Sequence, residues 1–141
     1  MAIWHLDLDI DAINALRANS MLQHCGVEFT AKGEDWLEAR MPVDERTVQP
    51  FGILHGGASV MLAETIGSAA ASLCVDPTEF RCVGLEINAN HLRSVSEGWV
   101  VGRGEPVHIG RRTQVWSIVI RDEAGEKVCI SRLTVANIPA R

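Results

Sequence analysis

An α+β fold, in which one long helix is wrapped by an antiparallel sheet of five to six strands, is predicted by three features of the sequence. Between Gly57 and Val75 the only charged residue is Glu64, and an apolar run of that length is either a membrane span or a helix buried on nearly all sides. Four segments of strand-like pattern then follow one another down to residue 137, with the apolar and polar alternation expected of strands. The last two are joined by Asp122-Glu123-Ala124-Gly125-Glu126, a turn-rich link that marks an antiparallel hairpin. The membrane alternative fails on the run itself, because Glu64 near a bilayer centre costs roughly 2 to 4 kcal/mol. Gly, Ala, Ser and Thr also dilute the run. A buried helix followed by antiparallel strands packs as helix on sheet.

Taken in order, Asp9 can cap a first helix over residues 11–18, with Ile10, Ile13 and Leu16 on one face at helical spacing. That helix is amphipathic and lies on the rim. A second helical turn over 20–25 stops at Gly26, a residue suited to the left-handed conformation that ends helices. Residues 27–30 and 35–43 read as a hairpin around Lys32-Gly33-Glu34, since Leu37, Ala39 and Met41 alternate with Trp36, Glu38 and Arg40. A loop over 44–51 leads into the central helix, which ends near Asp76-Pro77 because proline cannot continue it. Strands follow at 82–93, 98–108, 113–121 and 127–137. In Val115-Trp116-Ser117-Ile118-Val119-Ile120 apolar residues are too frequent for an open face. Both faces of the sheet are therefore expected to be covered, one by the central helix and the other by another subunit.

A chain of 141 residues is expected to form a single domain, 1–141, that buries roughly two thirds of its unfolded surface. A net charge of -5 and a pI near 5.5 exclude nucleic acid or an anionic membrane as the main partner. The local pair Arg111-Arg112 can still hold a phosphate. Cys25, Cys74, Cys82 and Cys129 are widely spaced without a C-x-x-C pattern, as expected of reduced thiols in a cytoplasmic protein. The N-terminus lacks the basic and apolar regions of a targeting signal. His5, His24, His55, His91 and His108 show no H-x-x-H or H-E-x-x-H spacing, so no metal site is expected; no cofactor is expected either.

The chemistry concentrates where a glycine-punctuated loop runs into the central helix, from Gln49-Pro50-Phe51-Gly52 through His55-Gly56-Gly57 to Glu64. Gly56 and Gly57 leave backbone N–H groups unhindered at a helix start, where the first N–H groups have no internal partner. That is an anion or oxyanion site. Glu64 lies two turns inward with no Lys or Arg within a helical turn, and a carboxylate kept in an apolar helix without a cation is there for chemistry or sits at a solvated edge. Ser68 follows one turn later on the same face, where its hydroxyl can bond a water or the carboxylate, or where its small size permits close packing. His55 can donate to a bound carbonyl or cap the turn. Gln49 can orient a substrate or satisfy loop backbone groups.

Met41-Pro42-Val43-Asp44, Gln49-Pro50-Phe51-Gly52, His55-Gly56-Gly57-Ala58-Ser59, Ala63-Glu64, Gly84-Leu85-Glu86-Ile87-Asn88-Ala89-Asn90-His91 and His108-Ile109-Gly110-Arg111 together resemble the hotdog-fold acyl-CoA thioesterases. The branch is the aryl-CoA one, and the resemblance covers nearly the whole chain. It implies hydrolysis of aromatic CoA thioesters, aryl or naphthoyl, to the free acid and coenzyme A, with 1,4-dihydroxy-2-naphthoyl-CoA of menaquinone synthesis among them. Proofreading of aryl carrier-protein thioesters, or a broad acyl-CoA range, is the alternative. A hotdog dehydratase or hydratase pairing a histidine with a carboxylate is a further one.

By the same resemblance Glu64 is the catalytic carboxylate and Gly56 supplies the N–H that polarises the thioester carbonyl, while Gln49, His55 and Ser68 orient substrate or water. Gly84, His91, Leu92, Arg93, Ser94, His108, Ile109, Gly110, Arg111, Arg112 and Thr113 are implied to hold the coenzyme A chain and its phosphates. Guanidinium groups suit that task. The partners implied are the acyl-CoA substrate, an acyl or aryl carrier protein, and further copies of the chain, as a dimer with the active site between subunits and as a dimer of dimers. A serine hydrolase built on Ser59 is disfavoured, because Gly57-Ala58-Ser59-Val60-Met61 lacks the second glycine of a nucleophile elbow.

Overall fold

The computed structural model describes residues 1–141. Its elements are α1 (Ile10–Ala15), α2 (Met21–His24), β1 (Glu28–Lys32), β2 (Leu37–Pro42), α3 (Gly56–Leu73), β3 (Phe80–His91), β4 (Trp99–Ile109), β5 (Thr113–Asp122) and β6 (Lys127–Pro139). The six strands form one sheet in the order β1-β2-β4-β5-β6-β3, with every neighbouring pair antiparallel. A sheet wrapped around one long helix is the hotdog arrangement. No helix is long and apolar enough to cross a membrane.

Asp9 caps α1 as expected, its side chain accepting from the Ala12 N–H at 2.8 Å. The helix stops at Ala15 rather than residue 18. Arg17 Nε donates to the Asn14 carbonyl, Ser20 Oγ donates to the Arg17 carbonyl, and Asn19 turns to a positive φ of 59°, so side chains take over the carbonyls that a longer helix would use. Leu16 thereby leaves the buried face and is 73% exposed.

In β2 the alternation holds, with Leu37, Ala39 and Met41 fully buried. The central helix begins at Gly56 and ends at Leu73, earlier than the Asp76-Pro77 limit. Its sheet-facing side is Leu62, Ala63, Ile66, Gly67, Ala70, Ala71 and Leu73, all buried. Small residues on both surfaces set the approach. A methyl group on Gly67 would come within 2.7 Å of Leu133, and methyls on Gly102 and Gly104 of β4 within 2.6 and 2.8 Å of Ile66. The expectation of a helix buried on nearly all sides is corrected. Val60, Met61, Glu64, Thr65, Ser68 and Ala69 are half-buried and Ser72 is exposed, because the sheet covers one side only. The small residues that hid this asymmetry in the sequence serve the sheet contact.

One polar network crosses this core. Trp116 Nε1 donates to Gln114 Oε1 at 3.0 Å, and Gln114 Nε2 donates to the Ala71 carbonyl at 3.2 Å and to Asn137 Oδ1 at 3.0 Å. Asn137 Nδ2 then reaches the carbonyls of Gly110 and Arg111. Every donor finds an acceptor, as burial requires. The effect is to tie the β4–β5 turn to β6 and to the C-terminal end of α3. On the outer face, Val115, Ser117 and Val119 stay half-buried. Over β2 and β4 the chain covers part of that face itself, with Arg40 stacked on Trp99 at 4.0 Å and Arg103 on Trp36 at 3.9 Å.

Candidate functional site

The loop before α3 fixes the helix mouth. Its backbone is held by Leu54 N–H to the Val95 carbonyl at 2.7 Å and His55 N–H to the Thr47 carbonyl at 2.9 Å. Gln49 is anchored inside the loop, since its side-chain Oε1 accepts from the Phe51 N–H and its carbonyl accepts from the Gly52 N–H, which leaves the Nε2 donors free. His55 is the N-cap, with Nδ1 accepting from the Gly57 N–H at 2.7 Å. A ring whose Nδ1 accepts carries its proton on Nε2, which remains able to donate. Ala58 and Ser59 donate to the His55 carbonyl. The Gly56 N–H is left without a partner in the chain. Its lack of a side chain makes room for His91, because a methyl on Gly56 would lie 2.9 Å from His91 Nε2.

Two turns along, Glu64 is half-buried and joins no ion pair. Its carboxylate lies against Gly84 of β3, where a methyl would come within 2.6 Å of Oε1. The strand is bulged there, with the register shifting between Gly84 and Glu86. Glu64 also opens onto a groove of about 810 Å³. One wall is α3, with Val60, Met61, Thr65, Ser68, Ala69 and Ser72 beside Glu64; the other is the N-terminal segment, with Leu6, Leu8, Ile13, Leu16, Arg17, Met21 and Leu22. Ser68 shares the groove with Glu64 and forms no direct hydrogen bond to it. Ser59 is 2% exposed on the sheet side of α3, out of reach of any substrate. Burial pushes the Cys74 thiol up to about 12, with nearby Cys82 adding to the effect, and raises Cys82 and Cys129 as well. Those thiols stay protonated and are poor nucleophiles.

The remaining candidate residues fall into separate places. His91, Leu92, Arg93 and Ser94 close the far end of β3, and His108, Ile109, Gly110, Arg111, Arg112 and Thr113 form the end of β4 and its turn into β5. Thr113 pairs with Ala136, whereas His91 pairs with Cys129, and at about 3.3 Å per residue those points on β6 lie about 23 Å apart. Within one chain the two segments are not together. Gly84 is with Glu64 instead. Arg93 makes a loose, exposed pair with Glu126 at 3.7 Å, and Arg111 and Arg112 are exposed. The N-terminal groove wall escaped the sequence reading, although Leu6 and Leu8 alternate with Asp7 and Asp9 and the apolar face of α1 was visible. Only the fold places that face opposite Glu64.

The scaffold is a hotdog fold that carries an unpartnered helix-mouth amide at Gly56 and, farther along α3, a carboxylate without a cation that opens onto an apolar groove. The chain belongs to the thioesterase superfamily, whose model matches residues 51–129, and it is a hydrolase of thioesters. It is 54% identical to the 1,4-dihydroxy-2-naphthoyl-CoA hydrolase of Escherichia coli strain K12, over 95% of this chain and 98% of the relative. It is 50% identical to the proofreading thioesterase EntH of Cronobacter turicensis, over 95% of this chain and 97% of that protein. The crystal structure of a Haemophilus influenzae thioesterase matches with a TM-score of 0.94 at 52% identity, covering 97% of this chain and 95% of that one.

Proposed function

We propose that this thioesterase hydrolyses aromatic CoA thioesters, with Glu64 as nucleophile or general base and the Gly56 N–H polarising the carbonyl. The observation that carries the reading is an uncompensated Glu64 carboxylate that opens onto an apolar groove of about 810 Å³, in a chain that also leaves the Gly56 N–H unpartnered for a second copy's substrate. Polarisation makes the thioester carbon electrophilic. Glu64 attacks it, or removes a proton from the water that does, and coenzyme A leaves as a thiolate that needs no strong acid. His55 donates through Nε2, Ser68 holds water in the groove, and Gln49 shapes the loop that admits the ester. His91 to Ser94 and His108 to Thr113 hold the coenzyme A moiety. The whole chain acts as a single domain, since one sheet encloses one core cluster of 21 buried residues. A thiol-release assay on benzoyl-, naphthoyl- and long-chain acyl-CoA esters and an aryl carrier-protein thioester tests the substrate. Faster turnover of the fatty esters than of every aromatic one would refute it. The two named relatives favour a naphthoyl-CoA substrate in menaquinone synthesis, or carrier-protein proofreading.

The site is shared between two copies in this reading. Gly56 lies against His91 and the Glu64 carboxylate against Gly84, seven residues and about 23 Å apart along β3, whereas one carbonyl between a donor and a nucleophile bridges about 7 Å. The long edge of β3 is unpaired and exposes Val83 and Leu85, a template for strand addition. Antiparallel joining of two β3 edges brings the His91 end of one copy toward the 108–113 end of the other. In this reading the protein is a homodimer, paired again into a tetramer through the outer sheet face, and it works in the cytoplasm, a placing supported by its four unpaired cysteines. Light scattering at micromolar concentration is expected to give a dimer or tetramer, and a stable monomer would sink the shared site.

Replacing Arg93 or Arg111 with Ala is expected to raise KM for full CoA esters with kcat nearly unchanged, because a remote phosphate contact binds ground and transition states alike. Both side chains are exposed, so the effect is about five- to tenfold in KM. A KM within twofold of the parent in both variants would remove the phosphate assignment.

A further inference from the structure

We infer that Arg17 selects acyl groups carrying an oxygen acceptor at the end remote from the thioester, an inference that rests on the aromatic thioesterase reading above. Of the residues lining the groove, only Glu64 and Arg17 are charged, and they stand on opposite walls. Arg17 Nε donates to the Asn14 carbonyl at 3.0 Å and Nη1 to the Val27 carbonyl at 2.7 Å. Two anchors fix the plane of the guanidinium. Of its five N–H groups, three remain without a partner, and no carboxylate pairs with it. Around it the wall is Ile13, Leu16, Met21 and Leu22. A half-buried cation with fixed, unspent donors in an apolar wall is hydrated while the groove is empty, and an occupant that displaces that water keeps the donors satisfied only if it brings an acceptor of its own. The sequence carries no sign of this, because no spacing rule connects Arg17 with Glu64.

An apolar ring fills the groove between α3 and the N-terminal wall while Glu64 faces the thioester. A hydroxyl or carboxylate on the far side of that ring then meets the Arg17 fork. A charge-assisted bond of this kind is worth about ten- to a hundredfold in kcat/KM. A site built to bond a polar group also rejects the analogue that lacks it. Lysine would not reproduce the arrangement, since it cannot hold both carbonyls and still present a planar fork.

The test compares kcat/KM for 4-hydroxybenzoyl-CoA and 4-carboxybenzoyl-CoA with that for benzoyl-CoA, in the parent and in Arg17→Met. Taking the ratio of ratios cancels the substituent's own effect on thioester reactivity. The preference for acceptor-bearing esters is expected to fall about tenfold or more in the variant. A loss in the hydroxyl arm alone, or the carboxylate arm alone, identifies which acceptor the site takes. A merely structural role would lower all three esters alike and leave the ratio where it was. That result overturns the inference. Since Arg17 also holds two carbonyls, a measurement on the parent alone runs beside it. Inhibition by the non-hydrolysable thioethers S-(4-hydroxybenzyl)-CoA or S-(4-carboxybenzyl)-CoA should be about tenfold tighter than by S-benzyl-CoA, which carries no acceptor on its ring, and equal inhibition by all three overturns the inference while leaving the thioesterase reading intact. A parent that hydrolyses none of the aromatic esters overturns both.

Discussion

Glu64→Gln is expected to lower kcat by ~10² to 10⁴-fold, the range typical of losing a positioned acid-base group, with KM little changed. The amide keeps the length and shape of the side chain. It cannot attack as a carboxylate or take a proton from water. The groove, the Gly56 N–H and the residues proposed to hold coenzyme A are untouched, so binding is expected to persist while the chemical step fails. Stability separates this from a structural loss. Glu64 is half-buried, unpaired and open to the groove, so the neutral amide should shift stability by no more than about 0.5 kcal/mol, or about 1 to 2 °C in Tm. Activity within tenfold of the parent would refute the catalytic role. An inactive variant that has also lost several degrees in Tm would make Glu64 a structural carboxylate.

Much of this site was legible because its signals are local. The single charge in the apolar run, the paired glycines before it and the period-2 pattern of Leu37, Ala39 and Met41 each depend on neighbours within a turn or a strand. The strands at 82–93, 98–108, 113–121 and 127–137 lie within two residues of β3 to β6 at every end, since alternation persists through a strand and blurs only where pairing stops. What was hidden is long-range. Gln114 looks like an ordinary strand residue, yet it joins α3, β5 and β6 through Ala71, Trp116 and Asn137. The depth to which Glu64 is buried depended on which side of α3 the sheet would cover, and small residues on every side of the helix concealed it. The groove wall at Leu6 to Leu22 lies some fifty residues from the helix it faces, and no spacing rule connects the two. Gln49 and His55 were each open to two roles. The structure shows both making backbone bonds within the loop and the helix cap, which fixes the mouth of the helix and leaves His55 Nε2 available.

The Gly84 contact leads to a second large effect, at a position whose own chemistry is nil. Gly84→Ala is expected to lower kcat by ~10²-fold, because a displacement of about 1 Å at a reacting group costs that much. A methyl at this position would stand 2.6 Å from Glu64 Oε1, closer than any carbon and oxygen remain. Next nearest are the Glu64 carboxyl carbon at 3.8 Å and Leu133 Cδ1 at 3.9 Å, both ordinary contacts. Nothing but the carboxylate has to move. It ends a flexible side chain beside an open groove, so it swings away at little energetic cost. The strand itself gains, since Gly in a strand interior is less favourable than Ala by roughly 0.5 to 1 kcal/mol. Tm should therefore hold or rise as kcat falls, a combination that core damage does not produce. A crystal structure of the variant should show the Glu64 carboxylate withdrawn from β3. If Gly84→Ala keeps more than a third of the parent kcat, the orientation of Glu64 against β3 is not the catalytic one. Loss of activity together with a lower Tm would place the damage in the bulge rather than in the carboxylate.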